Sequence, residues 1–153
     1  MGVARPLPGN CMKRTGAISF EASEVEARQN ISTAIRGLET LGVGGDDLGN
    51  IQIALAEAVN NIVEHAYAGE RPGQVRLTYE KADGALTICL EDDGRPFEGG
   101  TPPDGAPANL DVPMEDMPEG GFGWFLIRTL TRDLAYARQE GTNRLMLTFD
   151  LQS

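Results

Sequence analysis

The chain has 153 residues, 41% of them hydrophobic and 24% charged, and a formal net charge of −10. This length and apolar content suit one soluble domain with a real core. The acidic balance excludes a broad cationic face, so neither duplex nucleic acid nor an anionic membrane is expected as a direct partner. A small nucleotide, held by Mg²⁺ and backbone N–H groups, is not excluded.

Residues 1–16 (MGVARPLPGNCMKRTG) lack the apolar stretch of a signal peptide and are expected to form a flexible N-terminal tail. Nothing in the sequence approaches the roughly 20 apolar residues of a membrane span. The only cysteines, Cys11 and Cys89, form no CxxC pair, and a reducing, cytoplasmic setting without a structural disulfide is expected. Ala17 to Ala22 reads as a short strand. Ser23 then stands three residues before Glu26, the spacing of a capping box. Val25, Ile31, Ile35, Leu38 and Leu41 follow at helical spacing, and Gly42, Gly44 and Gly45 stop that helix. Asp46 or Asp47 can cap a second helix running to about Tyr67, with Leu48, Ile51, Leu55, Val59, Ile62, Val63 and Ala66 as its apolar stripe.

QVRLTYEK (Gln74 to Lys81) and ALTICLED (Ala85 to Asp92) both alternate, and Ala82, Asp83 and Gly84 supply a turn between them, so a β-hairpin is expected. Six of the nine prolines fall between Pro96 and Pro118, which makes residues 93–120 a long irregular stretch. Loops of that length inside a compact domain are usually functional or disordered. A short helix from about Phe122 to Leu130 follows. Two strands, Leu134 to Gln139 and Arg144 to Leu151, close the chain across a turn at Glu140–Asn143. The expected fold is α+β, a two-layer sandwich with the helices on one face of a mixed, mostly antiparallel sheet.

Glu57, Asn61 and His65 are spaced by four on the second helix, beside its apolar stripe. A carboxylate and an amide at this spacing can hold Mg²⁺ through oxygen and place a hydroxyl for proton abstraction. The same pattern, with Asn60 and Glu64, also suits a solvated polar face. Two adjacent asparagines in mid-helix are slightly costly, which favours a role. EDDGRPF (Glu91 to Phe97) puts an acid two residues before a glycine at a strand end. That suits reading of a base through its exocyclic amine, or a plain Asp-Gly turn. In EGGFGWFLIRTL (Glu119 to Leu130), glycines 120, 121 and 123 open into a helix whose free N–H groups can face an anion. A hinge or a simple helix start would look the same. The sequence has no GxxxxGK[ST] and no βαβ unit around the glycines, so P-loop and Rossmann sites are not expected.

In order and spacing, EAVNNIVEHAY, DDGRPF, the Pro-rich loop and EGGFGWFLIRTL resemble the N, G1 and G2 boxes of the GHKL, or histidine-kinase-like, ATPases. The resemblance is closest to the anti-sigma-factor serine/threonine protein kinase branch, with its E-A-x-x-N-x-x-x-H-x-Y helix and D-x-G-x-P-F turn. It spans nearly everything after residue 16, including the ending GTNRLMLTFDL. It implies a Bergerat ATP-binding fold over residues 17–153, an ATP lid at about 98–119, and ATP with Mg²⁺ as ligands. It casts Glu57 as general base, Asn61 as Mg²⁺ ligand and His65, in the same box, as a further nucleotide-binding residue. It makes Asp92 the adenine reader, with Gly94 and Pro96 beside it. Gly121 and Gly123 would let the lid-to-helix turn approach the phosphates, Thr142 would lie near the adenine, and Arg28 would grip protein partners.

The implied function is ATP-dependent phosphorylation of a small anti-sigma-factor antagonist by a domain that also holds a sigma factor, with a homodimer among the assemblies the resemblance allows. The alternative is a nucleotide-dependent protein-binding switch without significant kinase activity. The lid region carries Glu98, Asp104, Asp111, Glu115, Asp116 and Glu119 and no lysine or arginine, so phosphate charge would rest on Mg²⁺ and backbone amides.

Overall fold

The computed structural model describes residues 14–67, 73–97, 100, 102 and 121–152. The tail before residue 14 and nearly all of the expected lid lie outside the described residues.

The first strand, β1 (Arg14–Glu21), starts before the expected Ala17 and runs almost directly into α1 (Glu24–Thr40). Ser23 sets that boundary. Its backbone is extended, and its hydroxyl accepts from the Glu26 N–H at 3.3 Å, satisfying one of the helix's free donors. α1 ends where Gly42 takes φ +95°, a left-handed conformation that costs glycine little. α2 (Gly45–Asn61) is not capped by Asp46 or Asp47; Gly44 is the N-cap, without a side-chain bond. Both aspartates lie within the first turn, where a carboxylate meets the positive end of the helix. Asp47 is buried and accepts the Gln152 N–H at 2.8 Å, which ties the end of the chain to α2. The helix does not continue regularly to Tyr67. Residues Ile62–Ala66 widen into a π turn.

The hairpin forms as β2 (Gln74–Ala82) and β3 (Ala85–Asp92), with Asp83 and Gly84 as its turn. α3 (Gly121–Leu130), β4 (Asp133–Gln139) and β5 (Thr142–Asp150) complete the order. The β4–β5 turn is tighter than the expected Glu140–Asn143. Gln139 pairs with Thr142, leaving Glu140 (φ 53°) and Gly141 (φ 80°) as a two-residue turn. Two left-handed residues match the twist of the flanking strands. Thr142 and Asn143 are thereby drawn into β5.

The sheet order is β1-β2-β3-β5-β4, and every ladder is antiparallel. β3 and β4 run in the same direction, but β5 lies between them, so the mixed sheet expected from the element order has no parallel ladder among the described residues. One face of the sheet presents Leu77, Leu90 and Leu145 in a row across three strands, with Ile88 and Leu147 paired beside them. Leu38 of α1, Ile51, Leu55 and Val59 of α2, and Trp124 and Ile127 of α3 join these in one buried cluster. Each such side chain contributes about 1.5–3 kcal/mol on burial, enough together to hold three helices on one face. Cys89 faces the other side as a free thiol; Cys11 lies outside the described residues. Among the described residues no helix is long and apolar enough to cross a membrane.

Candidate functional site

Because α2 turns Leu55, Val59 and Ile62 into the core, Glu57 and Asn61 emerge at its rim, each half-buried. Asn61 Nδ2 donates to the Glu57 carbonyl at 2.8 Å. That bond uses an amide donor and leaves Oδ1 as the acceptor, the atom type a hard cation takes. The π turn begins immediately after Asn61. His65 lies within that turn, and its imidazole is exposed. The turn also aims the Ala66 carbonyl at the end of β3, where it accepts the Arg95 N–H at 2.7 Å. A Cβ at Gly94 would lie 2.3 Å from that same oxygen, so only glycine allows the two backbones to meet.

Asp92 is the last residue of β3 and is 3% exposed. Its Oδ1 accepts from the Gly94 N–H and from Asn143 Nδ2, both at 2.9 Å. Burial pushes the carboxyl above its ordinary pKa; the bonds from Asn143 and Gly94 and the charge of Arg138 oppose this, while the charge of Asp93 adds to it. Oδ2 is the oxygen left for a donor from outside. Asp93 beside it is exposed and is held below the usual carboxylate range by Arg76 and Thr142. Arg76 Nη2 lies 3.2 Å from Asp93 Oδ1, and Thr142 Oγ1 donates to the same oxygen at 2.9 Å. The Asp93 N–H donates to Tyr67 Oη at 2.8 Å, and Tyr67 donates in turn to the Gln74 carbonyl at 3.0 Å. Thr142 therefore serves Asp93, not Asp92. Pro96 is exposed, and Phe97 after it packs edge-on against Trp124 and Tyr136.

α3 meets the same region from the third side. Gly121 is its first residue, and Gly123, still within the first turn, is buried. A Cβ at Gly123 would stand 2.5 Å from Glu57 Oε1. The Glu57 carboxylate thus lies against the first turn of α3, where unpaired N–H groups are available to an anion. The end of β3 thus meets the π turn after α2 at Gly94, and the start of α3 meets α2 at Gly123.

A family profile described as "Histidine kinase-like ATPase domain" matches residues 20–149. The chain belongs to the histidine kinase-like ATPase family. Within that family it is 34% identical over 110 residues to the serine-protein kinase RsbW of Bacillus mycoides (strain KBAB4), covering 71% of this chain and 68% of that protein. RsbW of Bacillus thuringiensis (strain Al Hakam) is 33% identical over the same length and shares. Among solved structures, the RsbU and RsbW domains of Rv1364c from Mycobacterium tuberculosis align with a TM-score of 0.64 at 21% identity. That match covers 90% of this chain, which spans only 32% of the longer polypeptide. The blue-light activated histidine kinase of Erythrobacter litoralis EL346 aligns with a TM-score of 0.54 at 20% identity, over 81% of this chain and 40% of that one. At these identities the structures bear on the fold alone.

Within this histidine kinase-like ATPase domain, a groove of about 300 Å³ separates α1 from α2 and is lined by Glu24, Arg28, Glu57 and Asn60, among others. Arg28 and Glu57 therefore share a surface, and Asn60 opens onto it. Asp93, Tyr67, Asn143, Tyr136 and Arg138 escaped the sequence reading. The two-residue turn at Glu140–Gly141 sets Asn143 opposite Arg138 of β4, while its place opposite Asp92 comes from the separate β3–β5 ladder.

Proposed function

We propose that this domain binds MgATP between Asp92, Asn61 and the first turn of α3 and transfers the γ-phosphate to a serine or threonine of a small anti-sigma-factor antagonist. Its hold on a sigma factor would change with that transfer. The observation that carries this reading is the contact between Glu57 and Gly123, which sets a carboxylate base beside amides suited to phosphate.

Asp92 Oδ2 accepts the exocyclic amine of adenine, and Gly94 keeps the turn close enough for that contact. Bound Mg²⁺, for which Asn61 Oδ1 is the fitting ligand, would supply positive charge at the phosphates. Glu57 takes the proton of the acceptor hydroxyl as its oxygen bonds to the γ-phosphorus and the bond to the ADP oxygen breaks. The acceptor protein approaches along the α1–α2 groove, with Arg28 contacting it, because Glu57 also borders that side.

Incubation with γ-labelled ATP, Mg²⁺ and a purified antagonist protein tests this. Label should appear on a serine or threonine, and Glu57→Gln should reduce its rate by about 10²–10⁴-fold with nucleotide affinity little changed. Intact nucleotide binding with no transfer would instead make the domain a nucleotide-gated binding switch.

A further inference from the structure

Asn143 is 5% exposed and stands directly opposite Asp92 in the β3–β5 ladder. Its Nδ2 donates to Asp92 Oδ1 and the Arg95 carbonyl, each at 2.9 Å, and lies 3.2 Å from the Gly94 carbonyl. Its Oδ1 accepts from Arg138 Nη1 at 2.8 Å and from the Tyr136 hydroxyl. Arg138 Nη1 also donates to the Gly94 carbonyl at 2.8 Å. Tyr136 and Arg138 sit two residues apart on β4, the edge strand, and therefore share one face of the sheet. The amide has one workable orientation. Reversed, its oxygen would face three acceptors and its nitrogen two donors.

We propose that Asn143, oriented by Tyr136 and Arg138, is the positioning residue that gives the site its preference for 6-amino over 6-oxo purines. The inference rests on Asp92 being the base reader. With Oδ1 held by Asn143 and the Gly94 N–H, the carboxylate cannot turn, and Oδ2 stays aimed as an acceptor. A 6-amino purine donates to it. A 6-oxo purine presents a second acceptor there and is repelled. A fixed acceptor discriminates between the two far better than one free to rotate or take up a proton.

The test is calorimetric titration of wild type, Asn143→Ala and Tyr136→Phe with MgADP and MgIDP. Wild type should favour ADP by about 100-fold or more. Asn143→Ala should narrow that ratio by about tenfold or more, mainly by weakening ADP, and Tyr136→Phe by about threefold. A purely structural role would weaken both nucleotides alike, so a ratio unchanged in the variants overturns the proposal. Tyr136→Phe keeps the ring packed on Phe97 and carries the test if Asn143→Ala does not fold. Wild type that binds neither nucleotide, or both equally, would sink the adenine-reading role of Asp92 and this inference with it.

Discussion

Glu57 and Gly123 touch so closely that a Cβ on the glycine would come within 2.5 Å of Glu57 Oε1. The atom in the way is the end of a flexible side chain, which can swing aside at little cost. Alanine would also add helix propensity worth about 0.5–1 kcal/mol. Gly123→Ala should therefore melt at the same temperature as wild type or slightly above it. Phosphoryl transfer should nonetheless fall by about tenfold or more, because the displaced carboxylate no longer meets the acceptor hydroxyl. Thermal melts beside the labelled-ATP assay separate the two effects: a large loss of stability would contradict the freedom of the Glu57 side chain to swing aside, and unchanged transfer would contradict the role given to the contact.

Gly94→Ala should behave in the opposite way. Here a Cβ would meet backbone, with Ala66 O at 2.3 Å and Ala66 C at 2.6 Å. Neither can move without breaking the Arg95 N–H bond to that carbonyl. A loss of about 2–4 kcal/mol is expected, from chemical denaturation. Nucleotide affinity should fall with it, since the turn carrying Asp92 is pushed off the end of α2.

What the sequence disclosed follows from the range of each interaction. The apolar stripes of α1 and α2, the β2–β3 hairpin and the glycine-opened α3 are local patterns, and they reappear with shifts of a few residues at their ends. Glu57 and Asn61 were legible because four residues make one helical turn. Asn143 was not, because its place opposite Asp92 is a long-range pairing of β5 with β3 that no local pattern shows, and its register against β4 runs across a turn two residues shorter than expected. Tyr136 and Arg138 depend on that same register. The π turn after Asn61 leaves no mark in periodicity over so short a span, so a regular helix is expected to about Tyr67 where the structure widens at Ile62–Ala66. Asp92 and Asp93 are neighbours in the chain, yet the two face different partners.

Those neighbouring aspartates should also titrate with opposite effect on stability. Burial raises the pKa of Asp92, so its ionised form is disfavoured in the folded chain. Its contribution to stability is present below the unfolded value and is lost as pH rises through the raised folded value. Asp92→Asn removes that cost, and the nucleotide-free variant should be at least as stable as wild type at neutral pH. The difference should close as pH falls towards the carboxylate range. Asp93 runs the other way. Its lowered pKa gives stability present above the ordinary carboxylate value and lost on further acidification, and its exposure keeps the effect small. Melting temperatures of wild type, Asp92→Asn and Asp93→Asn from neutral pH down to about pH 2 check both signs.

The nucleotide site is tested most directly by titrating wild type and Asp92→Ala with MgADP in a calorimeter. One nucleotide should bind per wild-type chain, and Asp92→Ala should weaken that binding by about 100-fold or more while the protein remains folded. No heat of binding from wild type, or equal affinity in the two proteins, would contradict a site built on Asp92 at the meeting of β3, α2 and α3.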